Sequence, residues 1–204
     1  MDSDTNWRHV DTQRALAADL LEGLSEQQWA QPSLCTEWSV RDVAAHLTFA
    51  QVRLREAVIP ALRAGLRSNV LVRDMARRSP LSHNEIIAKI RSFEGSRARP
   101  PFVTEAEPLT DILVHIQDIA VPLGIDIDPP VDAAIASIER TLTVNESRIR
   151  LRPPLRDVRL IATDADWAQG TGRVVQGPVK WLLLAVAGRP AAHQHLTGEV
   201  AALA

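Results

Sequence analysis

With 204 residues, 46% of them apolar and 24% charged, the chain can bury a hydrophobic core as one domain or two small ones and is too apolar to be disordered. Its net charge of −2 provides no basic field for nucleic acid, and its 23 basic residues, only two of them lysines, are spread along the whole length. The lone cysteine excludes an internal disulfide, the start MDSDTNWRHV lacks the layout of a secretory signal, and the longest apolar run, Trp181 to Ala187, is far too short for a hydrocarbon layer of roughly 30 Å. The expectation is a soluble, cytoplasmic protein with no nucleic-acid or membrane partner.

The first element is a helix over 5–24, where Val10, Ala17, Leu20, Leu21 and Leu24 recur at helical spacing. The polar stretch SEQQWAQPSLCTEW reads as a loop with aromatic anchors. Ser39 caps a second helix and Asp42 answers its free first-turn amides. The stripe Val43, Leu47, Leu54, Val58, Leu62 carries that helix to about residue 63, with a stop near Gly65. Residues 66–80 are Arg-rich and irregular. Ser82 and Glu85 form a capping box for a third helix over 83–95. Pro108 suits the first turn of a fourth, LTDILVHIQDIAVPLG, which ends by Pro122 or Gly124. Val131, Ile135, Ile138 and Leu142 mark a fifth helix over 130–144.

After Ser147 the basic, proline-containing RIRLRPPLRDVRL reads as a linker. VRLIAT and GRVVQG read as short strands, and Gly177-Pro178 opens an apolar helix that Gly188 ends. Some 50–60 residues remain in this part, a small number for an independent fold.

Asp111 and His115 lie four apart on one helix, which sets their Cβ atoms about 5–6 Å apart on a shared face. Two such groups can close on one ion with bonds of about 2.0–2.2 Å. His46, mid-helix among Val43, Ala44, Leu47 and Ala50, is expected to face the bundle interior, where an imidazole needs a partner. Facing helices of a bundle are a usual place for a metal site, and three protein ligands leave a coordination position open, as in catalytic zinc. The same residues also read as a surface acid–histidine pair and a core histidine bonded to backbone. Spacing alone does not choose.

CTEWSVRDVAAHL and the later DILVHIQDIAVPLG resemble the mycothiol-dependent maleylpyruvate isomerase family, within the DinB-like group of metal-dependent thiol transferases. Trp38, Ser39, Arg41, Asp42, His46 and Leu47 match the first part of its pattern; Asp111, His115 and Asp118 match the second. LIATDADWAQGTGRVVQGPVKWLLLAVAGRP followed by LTG resembles that family's C-terminal domain. The resemblance implies a mainly α protein with a small α/β part: a DinB-like four-helix metal-binding bundle over 1–147 and a short α/β C-terminal domain over 148–204. It implies metal ligands at His46, Asp111 and His115, with zinc, nickel or another borderline ion as the metal. It implies catalytic roles for Asp118, to orient a bound group or move a proton, and for Arg189, to grip a substrate carboxylate through a two-bond fork. Arg189 also reads as a cation at a helix end.

The implied activity is isomerase or S-transferase: mycothiol as thiol cosubstrate meets a small electrophilic, carboxylate-bearing substrate, in a monomer or homodimer. A non-catalytic metal- or ligand-binding module of the same fold is the alternative. Two departures favour the alternative: Asp111 stands where the family pattern has Glu, and the chain is shorter than a full isomerase.

Cys35 is expected to be a small apolar filler, although a soft ligand or a nucleophile can be imagined. His193 and His195 form an HxH on the surface, His83 belongs to a helix start, and His9 to the first helix. Trp7, Trp29, Trp38, Trp167 and Trp181 read as packing anchors. No Walker loop, GxGxxG or Ser–His–Asp signature is present.

Overall fold

The structure, a computed structural model, describes residues 1–50, 74–99, 103–146, 155 and 157–203. Helix α1 (Ser3–Glu22) begins earlier than its apolar stripe because Asp2 caps it, accepting from the Thr5 amide at 2.9 Å. A single-turn helix α2 (Glu26–Trp29) stands inside the expected loop, closed by a capping box between Ser25 and Gln28. Helix α3 (Val40–Leu47) starts at the expected Ser39–Asp42 box.

It also stops sooner than its stripe suggests. Thr48 is the C-cap, with its hydroxyl on the Ala45 carbonyl at 2.7 Å, and residues 48–50 are turn. The further stripe positions Leu54, Val58 and Leu62, the stop near Gly65 and most of the irregular 66–80 stretch lie outside the described residues.

Helix α4 (His83–Arg91) carries the third capping box, Ser82 with Glu85, and unwinds through Gly95 at φ +70°. Helix α5 (Ala106–Ala120) has Pro108 in its first turn as expected, then tightens into a 3₁₀ turn, Val121–Leu123, that ends at left-handed Gly124. Helix α6 (Val131–Glu146) closes the bundle.

The C-terminal part is one four-stranded sheet with a helix against it. Strands β1 (Val158–Ala162) and β3 (Arg173–Gly177) run parallel in the centre. Two strands not expected from the sequence, β2 (Ala168–Gly170) and β4 (Thr197–Gly198), add antiparallel edges in the order β2-β1-β3-β4. Helix α7 (Val179–Val186) is followed by a 3₁₀ segment, Pro190–His195.

Helix α5 is the shared spine. Its Ile112, Ile116 and Ile119 pack with Ala17, Leu21, Val43, Leu47, Ile86 and Ile90 in the core of α1, α3 and α4. Its Leu109 and Leu113 belong to a second core with Trp7, Val10, Ala134, Ile138 and the apolar faces of α7 and the sheet. That second core runs across the 147/148 boundary, so the small C-terminal unit buries its apolar face against α6 rather than alone. Among the described residues no helix is long and apolar enough to cross a membrane.

Candidate metal centre

The bond from the Leu34 amide to the Asp118 carbonyl (3.1 Å) anchors the loop before α3 onto α5. Within that loop the Ser33 hydroxyl and the Ser33 and Val40 amides close a compact turn, and Glu37 takes a left-handed φ of 65°. This fixes where α3 begins, and α3 packs directly on α5. The sequence separation of 65 residues between His46 and Asp111 is thereby reduced to side-chain contact.

Asp111 Oδ1 stands 3.3 Å from His46 Nε2 and 3.4 Å from His115 Nε2. The three donor atoms lie within 4.8 Å of one another, and the two imidazole centroids are 4.7 Å apart with planes near perpendicular. Trp38 borders the pair, edge-on to His46 at 5.5 Å and nearly parallel to His115 at 6.5 Å. His46 Nδ1 is buried with no hydrogen-bond partner among the described residues.

A charge-assisted N–H···O bond is about 2.7–2.9 Å long, whereas two donors each about 2.1 Å from one tetrahedral ion stand about 3.4 Å apart. The observed spacings match the second figure. Two imidazoles and a carboxylate are a donor set suited to zinc or a similar borderline dication, so the residues present fit such an ion.

The other ring nitrogen of His115 faces the opposite way. Nδ1 lies 2.8 Å from Asp118 Oδ2, and that carboxyl is completely buried. Arg189 grips it through Nε (2.8 Å, to Oδ1) and Nη2 (2.6 Å, to Oδ2), while Nη1 donates to the Ala187 carbonyl. The guanidinium fork is therefore spent on the protein's own acid, not on a substrate carboxylate. Burial would raise the pKa of Asp118, but the hydrogen bonds and charges of Arg189 and His115 outweigh it and hold the acid well below the usual carboxylate range. Burial would lower the pKa of His115, yet Asp111 and Asp118 on its two sides raise it well above the ordinary value.

Cys35 is not the small apolar filler expected from the sequence. Its half-buried thiol lies 3.1 Å from Asp118 Oδ2, 3.2 Å from Arg189 Nη2 and 3.9 Å from His115 Nδ1, inside the polar cluster rather than in apolar packing. Cys35, His115 and Asp118 also form a possible donor group. The Arg189 guanidinium already occupies that side, so a second cation there would meet repulsion, and the His46–Asp111–His115 side is the better place for an ion.

The remaining histidines lie elsewhere. His9 pairs with Asp132 at 3.0 Å, His83 stacks on Trp29 beside Glu26, and His195 stacks on Trp181. Trp7 and Trp29 are buried anchors, while Trp38, Trp167 and Trp181 are half-exposed.

Residues 10–108 match the family described as the mycothiol maleylpyruvate isomerase N-terminal domain. That stretch, just under half of the chain, is similar to this family's N-terminal domain. Of the candidate ligands, His46 lies inside the matched stretch, which ends three residues before Asp111. Two crystal structures of the mycothiol-dependent maleylpyruvate isomerase, one a histidine-to-alanine mutant, share the fold, with TM-scores of 0.62 and 0.63 at 11% identity. The likeness covers 98% of this chain and 93% of each of those, so the shortening expected from the sequence removes little of the fold. No curated protein matches the chain. The mainly α bundle with a small sheet is thus a fold shared with those two structures.

Proposed function

We propose that this protein is a metal-dependent, mycothiol-using isomerase or thiol transferase acting on a small electrophilic substrate. The observation that carries the proposal is the convergence of His46 Nε2, Asp111 Oδ1 and His115 Nε2 at the spacing of one ion's ligands. The family of the N-terminal domain, named for a mycothiol-dependent isomerase, supports the thiol cosubstrate.

His46, Asp111 and His115 would hold the ion, with zinc the first choice and nickel the next. A dication bound there supplies the positive charge that keeps a coordinating thiol deprotonated near neutral pH. Two neutral imidazoles and one carboxylate cancel one of its two charges, which suits an anionic fourth ligand. Asp118 would accept a hydrogen bond from His115 Nδ1–H, fixing the tautomer so that Nε2 is free to coordinate. Arg189 neutralises Asp118 and ties the end of α7 to the centre. Both are positioning residues in this reading, and neither needs to touch substrate. The substrate is asked for an electrophilic centre and for no acid group. Isomerisation returns the thiol at the end of the cycle, and transfer leaves it on the product.

Elemental analysis of tag-free protein tests the reading. One equivalent of zinc or nickel is expected in the wild type and a small fraction of that in His46→Ala, together with metal-dependent consumption of an activated alkene in the presence of mycothiol. Absence of metal from both proteins overturns the proposal. Metal and thiol binding without turnover of any electrophile replaces it with the non-catalytic module.

A further inference from the structure

We propose that Cys35 is a positioning residue of this centre, its thiol holding the Asp118 carboxylate in register with His115. The inference rests on the metal reading above and extends it to a residue two contacts from the ion's place.

The two oxygens of Asp118 carry unequal acceptor loads. Among the described residues Oδ1 takes only Arg189 Nε, whereas Oδ2 takes His115 Nδ1 at 2.8 Å, Arg189 Nη2 at 2.6 Å and the Cys35 thiol at 3.1 Å. Arg189 Nη2 lies 3.2 Å from Cys35 Sγ, so guanidinium, sulfur and carboxylate form a closed triangle. In that triangle the guanidinium donates to sulfur and the S–H donates to Oδ2, which uses the thiol both as acceptor and as donor. An alanine offers neither.

The loop delivers this thiol deliberately. The Leu34 amide bonds the Asp118 carbonyl one residue before Cys35, so the same turn grips both the main chain and the side chain of Asp118. The Cys35 amide is held by the Ser33 hydroxyl at 3.1 Å, and its carbonyl accepts from the Trp38 amide at 3.0 Å. Three residues on, Trp38 covers the two imidazoles. One short turn therefore sets a wall of the centre and the carboxylate behind it. Partners of a ligating histidine, when removed, cost about 10–100-fold in metal affinity. Cys35 shares its carboxylate with the stronger Arg189 fork, so the low end applies.

The experiment measures Zn²⁺ affinity by competition with a chromogenic chelator, and the visible absorption of the Co²⁺-substituted full-length protein. Cys35→Ala is expected to bind Zn²⁺ about 10-fold more weakly, with altered Co²⁺ bands. Cys35→Ser, which restores an O–H donor, is expected to return affinity to within about threefold of wild type. If Cys35→Ala fails to fold, wild-type protein treated with methyl methanethiosulfonate replaces it. There the thiol sulfur takes the methylthio group, methanesulfinate leaves, and the S–H donor is lost until a reductant restores it.

Cys35→Ala, or the methylthio form, with wild-type affinity and unchanged bands overturns the proposal. So does Cys35→Ser as weak as Cys35→Ala. Wild-type protein that takes up no metal overturns the metal reading as well, which separates the two failures.

Discussion

Replacing Asp118 by asparagine keeps the shape of the side chain and removes its charge. Among the described residues the carboxylate accepts four hydrogen bonds from three side chains, and its partner Arg189 is only 14% exposed at the side chain. Breaking a buried ion pair costs about 3–5 kcal/mol, because the remaining charge is left without compensation. Asparagine can still accept through its oxygen, but its amide hydrogens would face either the Arg189 fork or the His115 N–H. A loss of about 3 kcal/mol follows, which for a chain of this size lowers Tm by about 6–12 °C. Urea unfolding followed by tryptophan fluorescence measures it. Arg189→Met in the Asp118→Asn background is expected to recover part of the loss, since removing both partners costs less than removing one. The reasoning fails if Asp118→Asn lies within about 0.5 kcal/mol of wild type or if the double variant is strictly additive.

Acid titration gives a second outcome. The folded pKa of Asp118 is depressed below its unfolded value near ~3.9, so its contribution is present above that pH and is lost as pH falls through the lower folded value. Below about pH 4 the wild type should therefore lose stability more steeply than Asp118→Asn, bringing the two curves together. His115 has the opposite sign: its folded pKa is raised, so in metal-free protein its contribution is full below about 6.5 and is lost as pH rises through the folded value. Adding zinc to that protein should release protons, measurable in weakly buffered solution. At the start of α3, Ser39→Ala removes the bond to the Asp42 amide and should cost about 1 kcal/mol in denaturant unfolding. Gly198→Ala would set a Cβ 2.2 Å from the Val174 carbonyl at φ +88°; a cost of about 2–3 kcal/mol and faster amide exchange along β3 are expected.

What could be read from the sequence follows from how local each signal is. The boxes at Ser39–Asp42 and Ser82–Glu85 are closed within four residues and form as expected. Ser25–Gln28 is the same device, but it precedes a single turn with one apolar residue, so periodicity could not point to it. The stripe through Leu54, Val58 and Leu62 hides the stop at Thr48, because apolar spacing does not register a hydroxyl capping the preceding carbonyls. Strands β2 and β4 are two or three residues long and exist through pairing with β1 and β3, which no local pattern encodes. Cys35 was misjudged for the same reason: its partners Asp118 and Arg189 are 83 and 154 residues away.

The centre itself was more legible than its supporting cluster, and helix geometry explains why. Asp111, His115 and Asp118 follow one another at spacings of four and three, so they rise along one face of α5 with the imidazole between two carboxylates. That much is fixed by the spacing alone. Which carboxylate would face an ion is not, since both lie within reach of a ring nitrogen. The decision is electrostatic and comes from the far end of the chain. Arg189 neutralises Asp118 in a fully buried position and leaves no place there for a second cation. Asp111 remains 40% exposed at the side chain and faces the second imidazole, His46. The arginine that the sequence suggested for binding a substrate acid thus acts one layer back: by occupying Asp118 it leaves the Asp111 side of His115 as the position proposed for metal.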